Sequence, residues 1–118
     1  MDKPKKPPTI KESVIQKNII TRMRAKGYKV WKVPLGAMLV RGGGKMIMAP
    51  NPLKGFPDLL SLSKHNNGRM VCIEVKSAVG KLNPKQKEWE NILKLAGVLY
   101  FLARDADSVI KFLEENDV

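Results

Sequence analysis

The sequence predicts an α/β fold in which a mixed central sheet is flanked by helices in the order α-β-β-β-α-β-α. Segments with helical spacing of apolar residues begin and end the chain, and segments with strand periodicity lie between them. A continuous apolar run at residues 98–102 indicates one further strand, covered on both faces. The 118 residues allow one compact core. We therefore expect a single domain at residues 9–118, preceded by a flexible basic tail at residues 1–8.

The first helix is predicted at residues 10–26. Thr9 and Glu12 have the spacing of a capping box, and Gly27 offers a stop. The apolar residues that recur at helical intervals are Val14, Ile15, Ile19 and Met23.

Residues 28–33 alternate in the manner of a strand, which Pro34 ends. Residues 35–53 are harder to interpret, because a segment from Arg41 through three glycines to Lys45 joins two apolar runs. A hairpin with a glycine-rich tip is our first choice, and a disordered loop is the alternative.

Residues 58–63 and 69–77 are predicted to be two adjacent antiparallel strands. The pair Asn67-Gly68, preceded by Asn66, is a strong hairpin signal between them. This pairing brings Asp58 alongside the end of the second strand, although the turn length leaves the register open.

A second helix begins after Asn83, with Pro84 at its first position and Gln86 where a capping box places it. Gly97 ends this helix. Its predicted buried stripe consists of Trp89, Ile92, Leu93 and Ala96. Asp105 or Asp107 caps the last helix, whose apolar residues are Val109, Ile110, Phe112 and Leu113.

Charge and composition restrict the partners. Lys and Arg number 22 against 11 Asp and Glu, a net charge of +11, which favours a polyanion such as nucleic acid. The single cysteine, Cys72, excludes an internal disulfide and is expected to be buried, and the lone His65 lies in a polar turn. No signal peptide or membrane span is indicated. We expect a cytoplasmic protein of a bacterial or phage-infected cell, without membrane contact.

Two acids and a lysine form the candidate site. Glu74 and Lys76 are two residues apart on a predicted strand, so they share one face, and the hairpin brings Asp58 beside them. Oxygen ligands of this kind suit Mg²⁺, and Lys76 fits as the group that orients or deprotonates an attacking water or stabilises transition-state charge. An isolated Glu-x-Lys is usually a solvated strand face. Here the Glu-x-Lys pair occurs together with Asp58, the predicted hairpin and the positive charge of the chain. This combination favours a functional site over a solvated strand face.

The residues that carry this site resemble the VRR-NUC branch of the PD-(D/E)XK nucleases. The similarity extends over residues 12–113 and rests on the segments 55–58, 73–77 and 80–86, with an early helix bearing Glu12 and Gln16. It implies a restriction-endonuclease-like fold and cleavage of DNA, often branched, with Mg²⁺ or Mn²⁺. It also implies a homodimer of the Holliday-junction-resolvase kind, with a role in DNA repair or recombination.

The resemblance assigns a role to each matching residue. Asp58, Glu74 and the backbone carbonyl of Val75 become metal ligands, Lys76 becomes the catalytic lysine, and Glu12 reaches the metal directly or through water. Gln86 corresponds to a glutamine that faces the site. Glu12 and Gln86 each have helix capping as a competing explanation, and Gln16 is a further candidate for the site lining.

DNA contacts are predicted from the distribution of positive charge. The candidates are Lys81, Lys85, Lys87, Arg41 and Lys45, together with the tail lysines Lys3, Lys5 and Lys6. We expect contacts to phosphate and to DNA shape rather than to base sequence. The leading function is a structure-selective endonuclease. A DNA-binding module of the same fold without cleavage is the alternative, and a sequence-specific restriction nuclease has less support.

Overall fold

The computed structural model describes residues 9–65 and 68–118. The predicted tail and the residues Asn66 and Asn67 of the predicted turn lie outside these ranges. The elements in chain order are α1 (Glu12–Ala25), β1 (Val30–Lys32), β2 (Met38–Gly42), β3 (Lys45–Ala49), β4 (Leu59–Leu62), β5 (Met70–Val75), α2 (Pro84–Leu95), β6 (Leu99–Ala103) and α3 (Ala106–Glu115).

The central sheet has four strands in the order β1-β4-β5-β6. The pairs β1–β4 and β4–β5 are antiparallel, whereas β5–β6 is parallel because α2 connects them. The predicted mixed α/β class with flanking helices is therefore confirmed. The hairpin β2–β3 forms a separate two-stranded sheet, which confirms our first choice for residues 35–53 and adds two strands to the predicted order.

Two apolar layers enclose this sheet. Ile73 and Val75 of β5 face a core built with α1 and α3, whereas Cys72 faces a smaller core with Leu93 of α2 and Tyr100 of β6. Successive residues of β5 thus point to opposite layers, as the strand periodicity predicts. Glu74 lies on the same face of β5 as Cys72, the face that packs against α2. Cys72 is fully buried, as predicted.

Two predicted details at the helices were wrong, the cap of α1 and the buried stripe of α2, and one apolar residue of α1 is exposed. Lys11 rather than Thr9 occupies the N-cap of α1 and makes no side-chain cap, because the helix begins at Glu12 and puts Thr9 outside its first turn. Val14 of α1 is 47% exposed. In α2 only Leu93 of the predicted stripe is buried, while Ile92 and Ala96 lie on the solvent side because one narrow sheet face covers little of the helix.

The predicted caps of the other helices are confirmed. Asn83 and Gln86 form a complete capping box on α2, and the Asp105 side chain accepts the Ser108 amide at the start of α3. Within the described residues, no helix has the length and apolarity needed to cross a membrane.

Candidate active site

Asp58 and Glu74 come together through the register of two antiparallel strands. Leu59 of β4 pairs with Ile73 of β5, so the next residues outward are Asp58 and Glu74. The Val75 amide donates a 2.8 Å hydrogen bond to Asp58 Oδ2, which fixes this carboxylate against the end of β5. The structure therefore gives the register that the turn sequence left open.

Glu74 is a buried acid with one hydrogen-bonded oxygen and one without a partner. It is 1% exposed, and its Oε1 accepts a 3.2 Å hydrogen bond from Gln86 Nε2. Its Oε2 has no hydrogen-bond partner within the described residues. Burial, followed by the negative charge of Asp58, raises the pKa of Glu74 to about 9, and the positive charge of Lys76 offsets part of this increase. A cation beside Oε2 would relieve this desolvation.

Lys76 lies directly beyond β5 at the carboxyl end of the parallel pair. Its amide donates a 2.9 Å hydrogen bond to the Ala103 carbonyl, which extends the pairing with β6. The side chain is 9% exposed, unusually low for a lysine. Its positive charge acts on Glu74, two residues earlier in the chain, and lowers the pKa of that carboxyl group.

Glu12 reaches from α1 to the segment that follows β5. Its Oε1 accepts a hydrogen bond of 3.4 Å from the Ser77 amide, one residue beyond Lys76. The helix-capping explanation for Glu12 is wrong, because this carboxylate faces another element instead of its own helix end. Glu12 is exposed at the rim of the site.

Gln86 performs both of the roles that the sequence offered as alternatives. Its Oε1 accepts the Asn83 amide at 2.9 Å in the capping box, while its Nε2 donates to Glu74. One amide thus joins the start of α2 to the buried acid. The capping contact orients the side chain for its contact with Glu74.

An open cleft of about 310 Å³ lies in front of Asp58 and Val75. Glu12 and Gln16 line its α1 side, and Lys32 of β1 contributes a positive charge that the sequence analysis missed. The hydrogen bond from the Val33 amide to the Asp58 carbonyl at 2.8 Å continues the β1–β4 pairing to this point. Lys32 was missed because residues 28–33 carry no motif, although strand pairing places them next to Asp58.

Arg104 is a second residue that the sequence analysis missed. It directly follows β6, and its Nη1 donates to the carbonyls of Ser77 and Gly80. A side chain at Gly80 would meet Glu12 Oε1 at 3.2 Å and Lys76 Cδ at 3.3 Å. Arg104 therefore holds a turn, residues 77–80, that packs against both Lys76 and Glu12. A basic residue two positions after the apolar run at residues 98–102 was the available signal.

The donor set fits a hard divalent cation that keeps several waters. In the part of the chain that the structure describes, no three His, Cys, Asp or Glu side chains form a ready metal cage. Mg²⁺ commonly needs only one or two protein carboxylates together with substrate phosphate. Asp58 and Glu74 supply these oxygens, and the unpartnered Oε2 of Glu74 is the observation that supports this fit.

Of the basic residues that were predicted to contact DNA, the five within the described ranges are exposed, and the tail lysines lie outside those ranges. Lys81 and Lys87 flank the start of α2, and Lys85 forms an ion pair with Glu88 at 3.5 Å. Arg41 and Lys45 lie on either side of the glycine tip of the β2–β3 hairpin.

Comparison with known proteins finds a matching family model. A search of the solved structures found no significant match. The family model of the VRR-NUC domain matches residues 49–106, a range that contains Asp58, Glu74, Lys76 and Gln86 but not α1 with Glu12. A nuclease-type function follows from this domain. Residues 49–106 thus match the VRR-NUC domain, and strands β4, β5 and β6 of the mixed sheet lie within this range together with the acidic pair.

Proposed function

We propose that the protein is a DNA endonuclease that hydrolyses phosphodiester bonds with Mg²⁺ or Mn²⁺ and selects branched DNA such as Holliday junctions or flaps. The observation that carries this proposal is the buried Glu74, whose Oε2 has no partner, next to Asp58 and two residues before Lys76. A buried acid with an oxygen that lacks a partner among the described residues costs stability, and a cation held between Glu74 and Asp58, which lines the cleft, would offset this cost.

Each side chain has a distinct task in this proposal. Asp58 and Glu74, with the Val75 carbonyl, would hold the cation, which supplies charge neutralisation and Lewis acidity at the scissile phosphate. The Lys76 ammonium group has three hydrogen-bond donors and no acceptor. It could therefore orient an attacking water or stabilise the negative charge that develops on the phosphate oxygens. Gln86 keeps Glu74 in place through its 3.2 Å hydrogen bond. Glu12 and Gln16 line the cleft on the α1 side, where Glu12 would reach the cation directly or through water.

Charge supports the substrate class in this proposal, and the family resemblance supports a homodimer. The net charge of +11 and the exposed Lys81, Lys85 and Lys87 near the site favour phosphate contacts. A homodimer with two equivalent sites suits the two opposed strands of a junction, and sedimentation velocity tests it. The bacterial or phage setting and a role in repair or recombination stay predictions.

The decisive experiment compares cleavage of four synthetic DNAs: a four-way junction, a flap, a plain duplex and a single strand. With Mg²⁺ or Mn²⁺ we expect the branched forms to be cut fastest. Glu74→Gln and Lys76→Ala each lower the rate by about 100-fold or more, because each removes a group that acts on the reacting phosphate. Lys111→Ala, which removes one positive charge from an exposed site on α3, is the control.

Two results would count against the proposal. If both site variants cleaved DNA as fast as the parent protein, the assignment of Glu74 and Lys76 to the active site would be wrong. Metal-independent DNA binding without cleavage of any of the four forms would favour the alternative function, a DNA-binding module that retains the nuclease fold. Calorimetric titration with Mn²⁺ separates these outcomes, because cation binding that is lost in Glu74→Gln locates the metal without any need for turnover.

A further inference from the structure

The β2–β3 hairpin, which we call the arm (residues 38–49), is an apolar element without a partner. Among the described residues its two strands contact each other and no other helix or strand. Five of its apolar side chains are between 42% and 64% exposed: Met38, Leu39, Met46, Ile47 and Met48. An isolated two-stranded hairpin is marginal in water, and exposed apolar area of this kind marks an interaction surface.

Both faces of the arm are apolar. Cross-strand pairs place Val40 and Ile47 on one face, and Leu39 and Met48 on the other. Each face also carries one cation near the tip, because Lys45 pairs with Gly42 and Arg41 pairs with Met46. If the arm folded back onto the domain, only one of its two apolar faces would be covered. A binding partner that contacts both faces would cover the whole arm.

The base of the arm is fixed at the rim of the catalytic cleft. Asn51 Nδ2 donates to the carbonyls of Pro34 at 2.8 Å and Gly36 at 3.2 Å, which ties the two ends of the arm together. Leu35 and Gly36 line the same cleft as Asp58. A substrate in the cleft therefore passes the base of the arm.

The charge of the segment that contains the arm indicates which kind of partner could bind it. No Asp or Glu occurs between Glu12 and Asp58, whereas Lys and Arg recur throughout that segment. A two-fold contact between two arms would bring Arg41 and Lys45 of both copies together without an acid from either arm, which is unfavourable. Branched DNA offers phosphates for the cations and unstacked base faces for the apolar side chains.

We propose that the arm is the element that recognises branched DNA. Arg41 and Lys45 bind phosphates, and the methionine, leucine and isoleucine side chains pack on bases that have lost a stacking neighbour at the branch. A continuous duplex offers no such bases, so the arm discriminates branched from plain DNA. This inference rests on the proposed DNA substrate but does not depend on cleavage.

The first test measures binding to a four-way junction and to a duplex by fluorescence anisotropy, with the full chain in EDTA so that no DNA is cut. The variant Leu39→Ser/Met46→Ser/Met48→Ser removes one apolar face and no charge. Its affinity for the junction falls by about tenfold or more, because the apolar contacts with the unstacked bases are lost, while its duplex affinity stays within about twofold. Leu95→Ser, at an 84% exposed leucine of α2, is the matched control.

A second variant separates charge from apolar contact. Arg41→Gln/Lys45→Gln weakens junction and duplex binding alike and lowers the salt dependence of binding by roughly two ion equivalents. A third measurement uses the unmodified protein. A 2-aminopurine base at the branch changes its fluorescence when the parent chain binds, and the same probe in the middle of a duplex does not.

Three outcomes would overturn the proposal. The first is an equal loss of junction and duplex affinity in the serine variant. The second is an unchanged 2-aminopurine signal with the parent protein, a result that does not require any variant to fold. The third is conversion of a dimer to a monomer by the serine substitutions in sedimentation velocity, which would make the arm an interface between copies. If the arm passes these tests and no cleavage occurs, the endonuclease proposal fails while this one stands.

Discussion

Glu74 holds an ionisable carboxyl group in a buried position beside a second acid. Burial and the neighbouring Asp58 disfavour its charged form, and its Oε2 has no partner among the described residues. Gln86 satisfies only Oε1. The residue is therefore a source of instability without a cation, which makes its contribution measurable by unfolding as well as by activity.

The stability of Glu74→Gln relative to the parent depends on pH. In the unfolded chain the carboxyl ionises above its ordinary pKa of 4.5, while burial holds the pKa in the folded protein at about 9. The unfolded state thus releases the proton first, so the parent loses stability as pH rises from about 4.5 toward 9. Glutamine does not ionise. In EDTA we expect the free energy of unfolding of the variant to rise relative to that of the parent between about pH 5 and pH 8, by up to about 4 kcal/mol.

Urea unfolding at both pH values measures this difference, and Glu115→Gln at an exposed end of α3 is the control. Added Mn²⁺ should stabilise the parent and not Glu74→Gln, because a ligand that binds only the folded state stabilises it. A stability difference that stays constant or shrinks with rising pH would contradict the buried state of this carboxyl.

Arg104 is expected to be a positioning residue. Its two hydrogen bonds hold the turn at residues 77–80 against Lys76 and Glu12. Arg104→Ala should lower kcat for DNA cleavage by about tenfold or more with little change in KM, because displacement of a reacting group by about 1 Å is costly. Arg104→Lys should restore only part of kcat, since lysine lacks the planar fork.

The control for Arg104 is Arg24→Ala, which removes a similar arginine-to-carbonyl contact, from Arg24 Nη2 to the Val30 carbonyl at 3.2 Å. A rise in KM with unchanged kcat would show instead that Arg104 binds DNA. An equal loss in the Arg24 variant would indicate a general loss of stability.

At the scale of elements, the start of α2 is docked by the segment that leads into β4. Trp89 Nε1 donates to the Lys54 carbonyl at 3.1 Å, and the rings of Phe56 and Trp89 meet edge to face at 5.1 Å. Gly55 packs directly against the backbone of Lys85. One short segment therefore positions both Asp58, which follows it, and Gln86, which lies in the first turn of α2.

Gly55→Ala should destabilise the fold more than Gly97→Ala. Both glycines have positive φ, +88° and +84°, so each alanine costs about 1 kcal/mol or more in backbone strain. A Cβ at Gly55 would also lie 2.9 Å from the carbonyl carbon of Lys85, whereas a Cβ at Gly97 meets nothing within 4 Å. We expect the free energy of unfolding to fall at least twice as far in Gly55→Ala.

Urea unfolding of the two variants checks this comparison at the two ends of the same helix. Because only Gly55 lies on the side of the site, cleavage should fall in Gly55→Ala and persist in Gly97→Ala at temperatures where both are folded. Equal losses of stability would show that the Lys85 contact relaxes freely.

At the scale of the whole molecule, the charge of +11 acts on any polyanion before specific contacts form. The described basic residues include the exposed tip of the arm and the start of α2. The tail adds Lys3, Lys5 and Lys6, three charges in a segment rich in proline. These contributions are electrostatic and so should depend strongly on salt.

Deletion of residues 1–8 should weaken DNA binding without affecting chemistry. Loss of three lysines lowers the slope of log affinity against log salt by up to about three. The rate of cleavage at saturating DNA should be unchanged, because the site residues begin at Glu12. Anisotropy titrations from low to high salt measure the slope, and a fall in the saturated rate would contradict this separation of roles.

The sequence alone predicted the helices, the four strands of the central sheet and the residues of the candidate site. Apolar periodicity, the caps at Asn83 and Asp105 and the two-residue spacing of Glu74 and Lys76 are local patterns, and local patterns determine helices, strands and strand faces. The hairpin predicted that Asp58 lies near Glu74, but only the structure gave the register that makes them neighbours.

Tertiary structure decided the contacts between residues that are distant in sequence. Glu12 meets the Ser77 amide, Lys32 enters the cleft beside Asp58, and Arg104 holds the turn against Lys76. Side-chain spacing cannot predict these contacts, because they depend on how α1, β1 and β6 pack onto one sheet edge. For the same reason the false capping box at Thr9 could not be recognised: the helix start moved to Glu12, where its carboxylate faces the turn after β5.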